Sequence, residues 1–422
     1  RVNEAIKEIT ILTKKLDDST LIAIDKQNIE EEISHLKNIV KVSSRIISKV
    51  DYNKYKNLFE RQLYLNIEPE VFELPKWDKY LNVNNGVIDL STGELLSHDS
   101  SFMFNYVSPV DYYQDKEYDY TLWETQLSET IEHYDEIKDY LQVLFGYLLV
   151  GGNRSKKALM FTGDGDSGKS TVINILAHIM GDGYWKLVFN SVSRNRSTGN
   201  DQNFDFADTR FKRIVSVAEP DNKISYNASI IKDISGNEKI NAAKKGKQAQ
   251  IFRPTYKLVI ASNFNLIGDV LDDAFFNRFI IVPFYIGYKI KNENRTQDLI
   301  NNSEAILHWL VEGAIKYYQL GKLPPMPQKL VDLINKTKQN QNPVYEFLSN
   351  NEYTITHDQD DKLISKDIYN EFIDWFIENK NGVSPSINEF YKLLNNLDII
   401  ETSKPTKING KTVRCILGIK KV

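Results

Sequence analysis

Residues 157–180 constrain the fold of this chain more than any other stretch. The apolar run from Ala158 to Phe161 has the composition of a strand buried on both faces. A glycine-rich segment follows that fits the phosphate-loop pattern G-x-x-x-x-G-K-[ST], and apolar residues then recur at helical spacing. A strand, such a loop and a helix in this order predict an α/β fold with a phosphate-binding site.

The residue types of this loop indicate how it would hold a nucleotide. Glycines let backbone N–H groups turn towards phosphate oxygens, and the helix directs its positive N-terminal end at the same anion. Lys169 can reach the β- and γ-phosphates, and the Ser170 hydroxyl can bind Mg²⁺. Gly165 is expected to add backbone freedom. A chance glycine-rich turn is the alternative, which the flanking strand and helix disfavour. The predicted ATP- and Mg²⁺-binding residues are Gly163, Asp164, Gly165, Asp166, Ser167, Gly168, Lys169, Ser170 and Thr171.

Length and composition set broad limits. A chain of 422 residues predicts two to three domains, and 41% hydrophobic with 26% charged residues is typical of a soluble globular protein. The net charge of -4 means that any DNA-binding surface must be local. The single cysteine, Cys415, excludes an internal disulfide and favours a reducing cytoplasm. No metal-ligand spacing, membrane-spanning run or secretory signal is evident, so we expect no membrane contact.

The region before the loop is predicted to combine helices with a β-hairpin. Residues 1–55 carry apolar residues at helical spacing, which would pack into a core or contact another protomer. Residues 80–90 predict a hairpin around the turn Asn85-Gly86, with a second turn at residues 91–93. Residues 123–150 are predicted to be helical and to lead into the strand of the phosphate loop.

Two later strands are predicted to end in polar side chains beside the phosphates. The strand from Ile214 to Ala218 ends at Glu219, which could polarise the attacking water or hold Mg²⁺; an ordinary strand-end carboxylate is the alternative. Asp221 could assist Glu219. The strand 256–262 ends at Asn263, whose amide could position the water.

Between these strands lies a predicted lysine-tipped hairpin. Residues 239–243 and 248–252 can pair across a tight turn, which would offer its lysines to a phosphate backbone; a solvated charged turn is the alternative. The predicted DNA-binding lysines of this hairpin are Lys244, Lys245 and Lys247.

Residues 303–320 predict a helix that ends at the proline-rich segment 323–327, a domain boundary or stiff linker. Beyond it, a helix at 367–379, a capping box formed by Ser386 and Glu389, and strands at 399–402 and 412–417 predict a winged helix. Its excess of basic residues points to duplex DNA, and docking of a protein is the alternative. The DNA-binding residues predicted here are Lys404, Lys407 and Lys411.

The run NGVIDLSTGELLSHD, the loop, the acid-tipped strand, the hairpin and Asn263 together resemble the superfamily 3 helicases of the poxvirus and phage/plasmid primase-helicase group. The resemblance covers roughly residues 80–395. It implies an AAA+-like P-loop ATPase core and a ring, commonly a hexamer, whose hairpins grip single-stranded DNA in the channel. It also implies that Asn263 is the sensor residue and that Arg278 reaches the ATP of the neighbouring subunit. A surface arginine that pairs with Asp272 or Asp273 is the alternative for Arg278.

This sequence departs from the family at two positions. Ala218 precedes Glu219 where many relatives carry two adjacent acids, so the division of roles between base and metal ligand stays open. Asn277 stands where relatives often carry the first of two arginines. The predicted catalytic residues are thus Lys169, Glu219, Asn263 and Arg278, with Ser170 and Glu219 as metal ligands.

We expect three regions: an N-terminal helical and hairpin region (1–120), the ATPase core (121–325) and the winged helix (343–422). The predicted function is an ATP-dependent, ring-forming DNA helicase in replication initiation of a phage, plasmid or mobile island, and the winged helix would bind duplex origin DNA. The alternative is a DNA-binding switch ATPase that remodels DNA or a partner without processive unwinding. A P-loop kinase is a third reading, which the lysine hairpin and the basic C-terminal region disfavour.

Overall fold

The computed structural model describes residues 2–16, 26–38, 78–102, 104–193, 204–217, 226–236, 238–242, 250–263, 273–287, 292–356, 358–380, 384–395, 397, 401–402, 405–408 and 411–421. The chain divides into two units, Arg1–Leu74 and Pro75–Val422. In the first unit, α1 (Val2–Leu16) and α2 (residues 26–38) are helices, as predicted there, and Leu12 and Ile33 are buried.

The second unit begins with a three-stranded antiparallel meander, which confirms the predicted hairpin. Asn85 lies in its first turn, where its side-chain amide donates to the Tyr112 carbonyl and its Oδ1 accepts from the Tyr112 N–H. The buried Arg213 side chain ties the meander to the central sheet, because it donates to Tyr80 O at 2.6 Å and to the Tyr106 hydroxyl at 2.7 Å. The strands are β1 (Tyr80–Val83), β2 (Gly86–Asp89) and β3 (Glu94–Leu96).

A five-stranded, all-parallel sheet forms the centre of the second unit, in the spatial order β10-β4-β9-β6-β5. Residues of β4 alternate between two hydrophobic clusters: Leu159 and Phe161 pack in one, and Met160 packs in the other. The sheet is therefore buried on both faces, as the apolar run predicted. Its strands are β4 (Ala158–Thr162), β5 (Tyr184–Leu187), β6 (Ile214–Val217), β9 (Lys257–Ser262) and β10 (Phe279–Pro283).

The helix predicted over residues 123–150 is confirmed except at residues 131–133, where the chain leaves the helical conformation and two helices result. Ile131 is extended (φ -107°, ψ 123°) and forms an antiparallel bridge with Phe284, and the Glu132 N–H donates to Pro283 O at 3.0 Å. His133, in the left-handed region (φ 59°), starts the second helix. The chain thus leaves the helix to cover the edge strand β10. The helices are α3 (Thr121–Thr130) and α4 (Tyr134–Leu149).

Helix α4 crosses α10 (Ser303–Leu320) at two glycines. A Cβ added at Gly146 would lie 2.2 Å from the Ala314 nitrogen, and one at Gly313 would lie 2.0 Å from Gln142 O. Only glycines allow the two backbones to approach this closely. The crossing packs α4 and α10 over the face of the sheet that holds Leu159 and Phe161.

The remaining elements of the core lie between the sheet strands in the chain, except for α9, which follows the last of them. The hairpin of β7 and β8 pairs in the register Ile240↔Phe252, which confirms the predicted pairing. These elements are α5 (Lys169–Met180), α6 (Phe204–Ala207), α7 (Ala228–Ser235), β7 (Ile240–Ala242), β8 (Gln250–Phe252), α8 (Asp273–Phe276) and α9 (Arg295–Asn301).

A third hydrophobic cluster, centred on Phe347, Phe372 and Phe390, marks the C-terminal region. The capping box is confirmed: the Ser386 N–H donates to Glu389 Oε2 at 2.7 Å, and the Glu389 N–H donates to Ser386 Oγ at 3.4 Å. Its helices are α12 (Pro343–Asn350), α13 (Ser365–Asn379) and α14 (Ile387–Asn395). Its strands are β11 (Tyr353–Ile355), β12 (Lys362–Ile364), β13 (Glu401–Thr402), β14 (Thr406–Ile408), β15 (Lys411–Val413), β16 (Cys415–Leu417) and β17 (Ile419–Lys421).

Several elements after residue 320 differ from the prediction, which lacked the strands β11, β12 and β17. The sequence analysis missed α11 (Gln328–Gln341), a mostly polar helix that buries Leu330 and Ile334. It also missed β14, which pairs with β15 in a hairpin, so residues 406–417 form three short strands. Nowhere in the described part of the chain is a helix both long and apolar enough to cross a membrane.

Candidate nucleotide site

The loop between β4 and α5 requires glycine at two positions. Gly163 (φ 150°) has no room for a side chain, since a Cβ would lie 2.1 Å from Phe284 O. Gly168 (φ 91°) lies against α3, and a Cβ there would approach Thr130 Cγ2 to 2.7 Å. Gly165 does not take a left-handed conformation and has open space around it, so the backbone freedom expected of it is instead used at Gly163, Gly168 and Asp166 (φ 62°).

Lys169 opens α5 and turns its side chain back over the loop. Its Nζ donates to Gly163 O at 2.7 Å, to Asp164 O at 2.8 Å and to Ser167 Oγ at 3.2 Å. The residue is 6% exposed. A buried ammonium held by two carbonyls and a hydroxyl has a fixed position at the mouth of the loop, where a phosphate oxygen could replace these neutral acceptors.

Asn263, at the end of β9, completes this arrangement. Its Oδ1 accepts from Lys169 Nζ at 2.9 Å, although 94 residues separate the two. The two residues meet because β9 is the parallel neighbour of β4 in the sheet. Ser262, which precedes Asn263, is paired with Thr162, which precedes the loop. The structure therefore brings together two residues that the sequence analysis selected independently.

A cavity of about 570 Å³ opens at the carboxyl ends of the strands, where ligands bind in parallel α/β sheets. Eight of the predicted residues line it: Gly165, Asp166, Ser167, Gly168, Lys169, Ser170, Thr171 and Asn263. Sequence reasoning missed eleven further lining residues: Gln126, Glu129, Ile173, Asn174, Tyr184, Lys186, Ser216, Val217, Ala261, Asn292 and Arg295.

The charged lining of the cavity is suited to an anion. Lys169, Lys186 and Arg295 are its basic residues, against the acidic Glu129 and Asp166. Arg295 Nη2 lies 2.9 Å from Glu129 Oε2, so one of these acids is paired.

The hydroxyls of Tyr184 and Ser216 form a hydrogen bond on the wall of this cavity. Burial raises the pKa of Tyr184, and the bond to Ser216 partly opposes that rise. The Tyr184 phenol is therefore uncharged near neutral pH and adds no negative charge to the site.

The opposite, amino-terminal edge of the sheet holds buried basic side chains that have a structural role. Lys257, the first residue of β9, donates to Val150 O and lies 4.4 Å from the centre of the Tyr147 ring. Burial lowers the pKa of Lys257 well below its usual value. Together with Arg213 it fastens the sheet to neighbouring segments, whereas Lys169 lies in the cavity.

Arg278 lies at this amino-terminal edge, away from the cavity of its own chain. It immediately precedes β10, and its carbonyl accepts from the Ala158 N–H at the start of β4. Arg278 Nη1 is buried and has no hydrogen-bond partner among the residues that the structure describes. Burial, assisted by the Arg278 charge, lowers the pKa of Lys157, so the two cations are neighbours. Asp272, one alternative partner of Arg278, lies outside the described residues.

Most of the remaining predicted site residues lie outside the part of the chain that the structure describes. Glu219 and its neighbours Ala218 and Asp221 lie outside the described residues, and so do Lys244, Lys245, Lys247 and Lys404. Lys407 and Lys411 lie on the paired strands β14 and β15. The roles of these residues stay predictions.

Comparisons with known proteins show which families and proteins this chain resembles. Residues 3–132 match the family described as "D5 N terminal like", and residues 161–278 match a family of unknown function, DUF5906. A candidate helicase of Acanthamoeba polyphaga mimivirus is 23% identical over 390 residues, which are 86% of this chain and 40% of that protein. A candidate helicase of Invertebrate iridescent virus 6 is 24% identical over 300 residues, 61% of this chain and 30% of that protein.

A candidate primase of African swine fever virus is 22% identical over 253 residues, 58% of this chain and 26% of that protein. The chain is therefore related to viral primase and helicase proteins. It spans at most 40% of the length of these three relatives. Among solved structures, the apo C-terminal region of NrS-1 is 15% identical, with a TM-score of 0.47 over 82% of this chain and 83% of that one.

Proposed function

We propose that this chain is an ATP-dependent DNA helicase of superfamily 3 that acts in replication initiation of a phage, plasmid or mobile island. The observation that carries the proposal is the position of Lys169 Nζ, between the loop carbonyls and Asn263 Oδ1 in a cavity of about 570 Å³. This volume suits a nucleotide-sized ligand. The parallel sheet and the viral relatives support an AAA+-like P-loop core.

The residues present fit Mg²⁺ as the metal. Ser170 is exposed, lines the cavity and follows Lys169 directly, and a hydroxyl oxygen is a suitable ligand for this hard cation. Phosphate oxygens and water would supply the other ligands of the ion. When bound, Mg²⁺ would neutralise charge on the phosphates.

The chain itself would supply the remaining groups for hydrolysis. Lys169 would bind the β- and γ-phosphate oxygens, and Asn263 would orient the attacking water. Glu219 follows two residues after Val217, which lines the cavity at the end of β6. We assign Glu219 the role of base or water-mediated metal ligand.

Arg278 would act in trans, which means that its side chain would reach the ATP bound by the neighbouring subunit of a ring. Such rings are commonly hexamers. Its position before β10, at the edge opposite the phosphate loop, supports a role in the cavity of a neighbour. Its guanidinium would bring a fixed charge and a planar set of donors to the transferred phosphoryl group.

We expect Arg278→Ala to retain nucleotide binding and to lose about a thousandfold or more in turnover, as when an arginine finger is removed. An equimolar mixture of Arg278→Ala and Lys169→Ala chains should regain part of the hydrolysis that each lacks alone, because mixed rings contain interfaces with both groups intact. Steady-state phosphate release measures the turnover of the Arg278→Ala variant and of the mixture. Full turnover by Arg278→Ala, or no recovery on mixing, would show that Arg278 does not act in trans.

DNA would be bound at two places. The β7–β8 hairpin would present Lys244, Lys245 and Lys247 to single-stranded DNA. The C-terminal order of helix, two strands, two helices, strand, hairpin and two strands supports a winged helix, in which the β14–β15 hairpin is the wing. Its lysines Lys404, Lys407 and Lys411 would contact phosphates of duplex origin DNA.

The test is strand displacement on a forked duplex with ATP and Mg²⁺. We expect the wild type to displace the strand and Lys245→Ala/Lys247→Ala to lose displacement. Because two phosphate contacts disappear, and each contact on a single strand adds about 0.7, the slope of log affinity for single-stranded DNA against log salt should fall in magnitude by about 1.4. Hydrolysis without displacement by the wild type would overturn the helicase assignment in favour of a switch ATPase, and retained displacement by the double variant would overturn the hairpin assignment.

A further inference from the structure

The sheet order sets the direction in which a nucleotide would lie in the cavity. On one side of β4 lies β9, and on the other lies β10. Lys169 Nζ, which would bind the terminal phosphates, contacts Asn263 at the end of β9. The terminal phosphates therefore belong on the β9 side, and the nucleoside belongs on the β10 side.

The β10 side of the cavity is built from α3 and α9. Gln126 and Glu129 lie one turn apart on α3, and Arg295 is the first residue of α9. Helix α3 lies directly on the phosphate loop, since a Cβ at Gly168 would come within 3.1 Å of Gln126 Nε2. This contact sets the distance between α3 and any phosphate held by the loop.

The side chains of Glu129 on α3 and Arg295 on α9 form an ion pair that joins the two helices on the β10 side of the cavity. Their side chains meet at 2.9 Å, with Arg295 22% and Glu129 34% exposed, so both remain open to the cavity. A single N–H bonds to Glu129 Oε2. The carboxylate therefore keeps acceptor capacity, and the guanidinium offsets a negative charge that would otherwise repel a triphosphate.

We propose that this end of the cavity binds the ribose of the nucleotide, and that the Glu129 carboxylate accepts a hydrogen bond from its 2′-hydroxyl. Arg295 is the positioning residue that holds the carboxylate. An ionised carboxylate is acceptor-only and matches the hydroxyl donors of a ribose. Among the described lining residues on this side, Ile173 is the apolar one and none is aromatic, so a stacked base is less well matched than the sugar. This inference rests on the proposed function.

The test compares the affinities of ATP, dATP and inorganic tripolyphosphate, each with Mg²⁺, by calorimetry. We expect the wild type to bind ATP about tenfold or more tightly than dATP, as for a hydrogen bond to a charged group. In Glu129→Gln that preference should disappear while tripolyphosphate affinity is retained. Arg295→Ala should reduce the preference, and Arg295→Lys should restore part of it. The matched control is Glu132→Gln, an exposed carboxylate that does not line the cavity.

The outcomes separate this inference from the proposed function. Binding of ATP and dATP with equal affinity by the wild type, or an unchanged preference in Glu129→Gln, overturns the ribose assignment alone. An equal loss of ATP and tripolyphosphate affinity in Glu129→Gln also overturns it, since the carboxylate would then act on the phosphates. If the wild type binds neither ATP nor tripolyphosphate, the proposed function itself fails.

Discussion

Replacement of Lys169 with alanine is expected to lower ATP turnover by about a thousandfold, or roughly 4 kcal/mol of transition-state stabilisation. The change removes the ammonium that is buried beside Gly163 O, Asp164 O and Asn263 Oδ1. A fixed cation in a partly enclosed cavity stabilises the charge that develops on the transferred phosphoryl group, and water cannot replace it equally well. Phosphate release at saturating ATP and Mg²⁺ measures the effect.

The controls for Lys169 separate charge from packing. Lys169→Met keeps most of the aliphatic stem and should be as inactive as Lys169→Ala, because the lost group is the amine. Lys322→Ala removes an exposed lysine that follows α10 and should retain wild-type turnover. Circular dichroism should show intact secondary structure in all three. Turnover by Lys169→Met at the wild-type rate would contradict the assignment of the cavity as the ATP site.

Replacement of Gly146 with alanine is expected to cost about 3 kcal/mol of unfolding free energy, at the upper end of overpacking effects. The new Cβ would meet the Ala314 nitrogen at 2.2 Å and Leu310 O at 2.6 Å, and both are backbone atoms of α10. Because a backbone cannot rotate away as a side chain can, α4 and α10 must separate. The midpoint of urea unfolding, followed by circular dichroism, measures the loss.

Gly165→Ala is the matched control for Gly146→Ala, since it adds the same methyl group where no atom lies within 4 Å. Its unfolding midpoint should stay at the wild-type value or rise slightly, because alanine restricts the unfolded chain. Equal midpoints for Gly146→Ala and the wild type would mean that the two helices can move apart freely. The predicted close crossing would then be wrong.

Short-range patterns predicted much of the local structure. The strand, loop and helix of residues 158–180, the meander turn at Asn85-Gly86 and the Ser386–Glu389 capping box each depend on residues a few positions apart, and the structure shows all three. The helix prediction failed at residues 131–133 because the backbone conformation there is set by a contact with a residue far away in the sequence. Ile131 leaves the helix to bridge Phe284, which no local periodicity records.

The sequence by itself determined the side chains at the end of the site formed by the glycine-rich loop, because the phosphate-loop pattern requires glycines, a lysine and a hydroxyl at set spacings. Only the tertiary structure decided which residues surround the rest of the cavity. Gln126 and Glu129 precede Gly163 by 37 and 34 residues, and Arg295 follows the loop by more than a hundred, with no motif to connect them. They meet because the parallel order of β10, β4 and β9 places α3 and α9 on one side of the loop and Asn263 on the other. Strand order arises from packing of the whole core, which is a long-range property that sequence spacing does not encode.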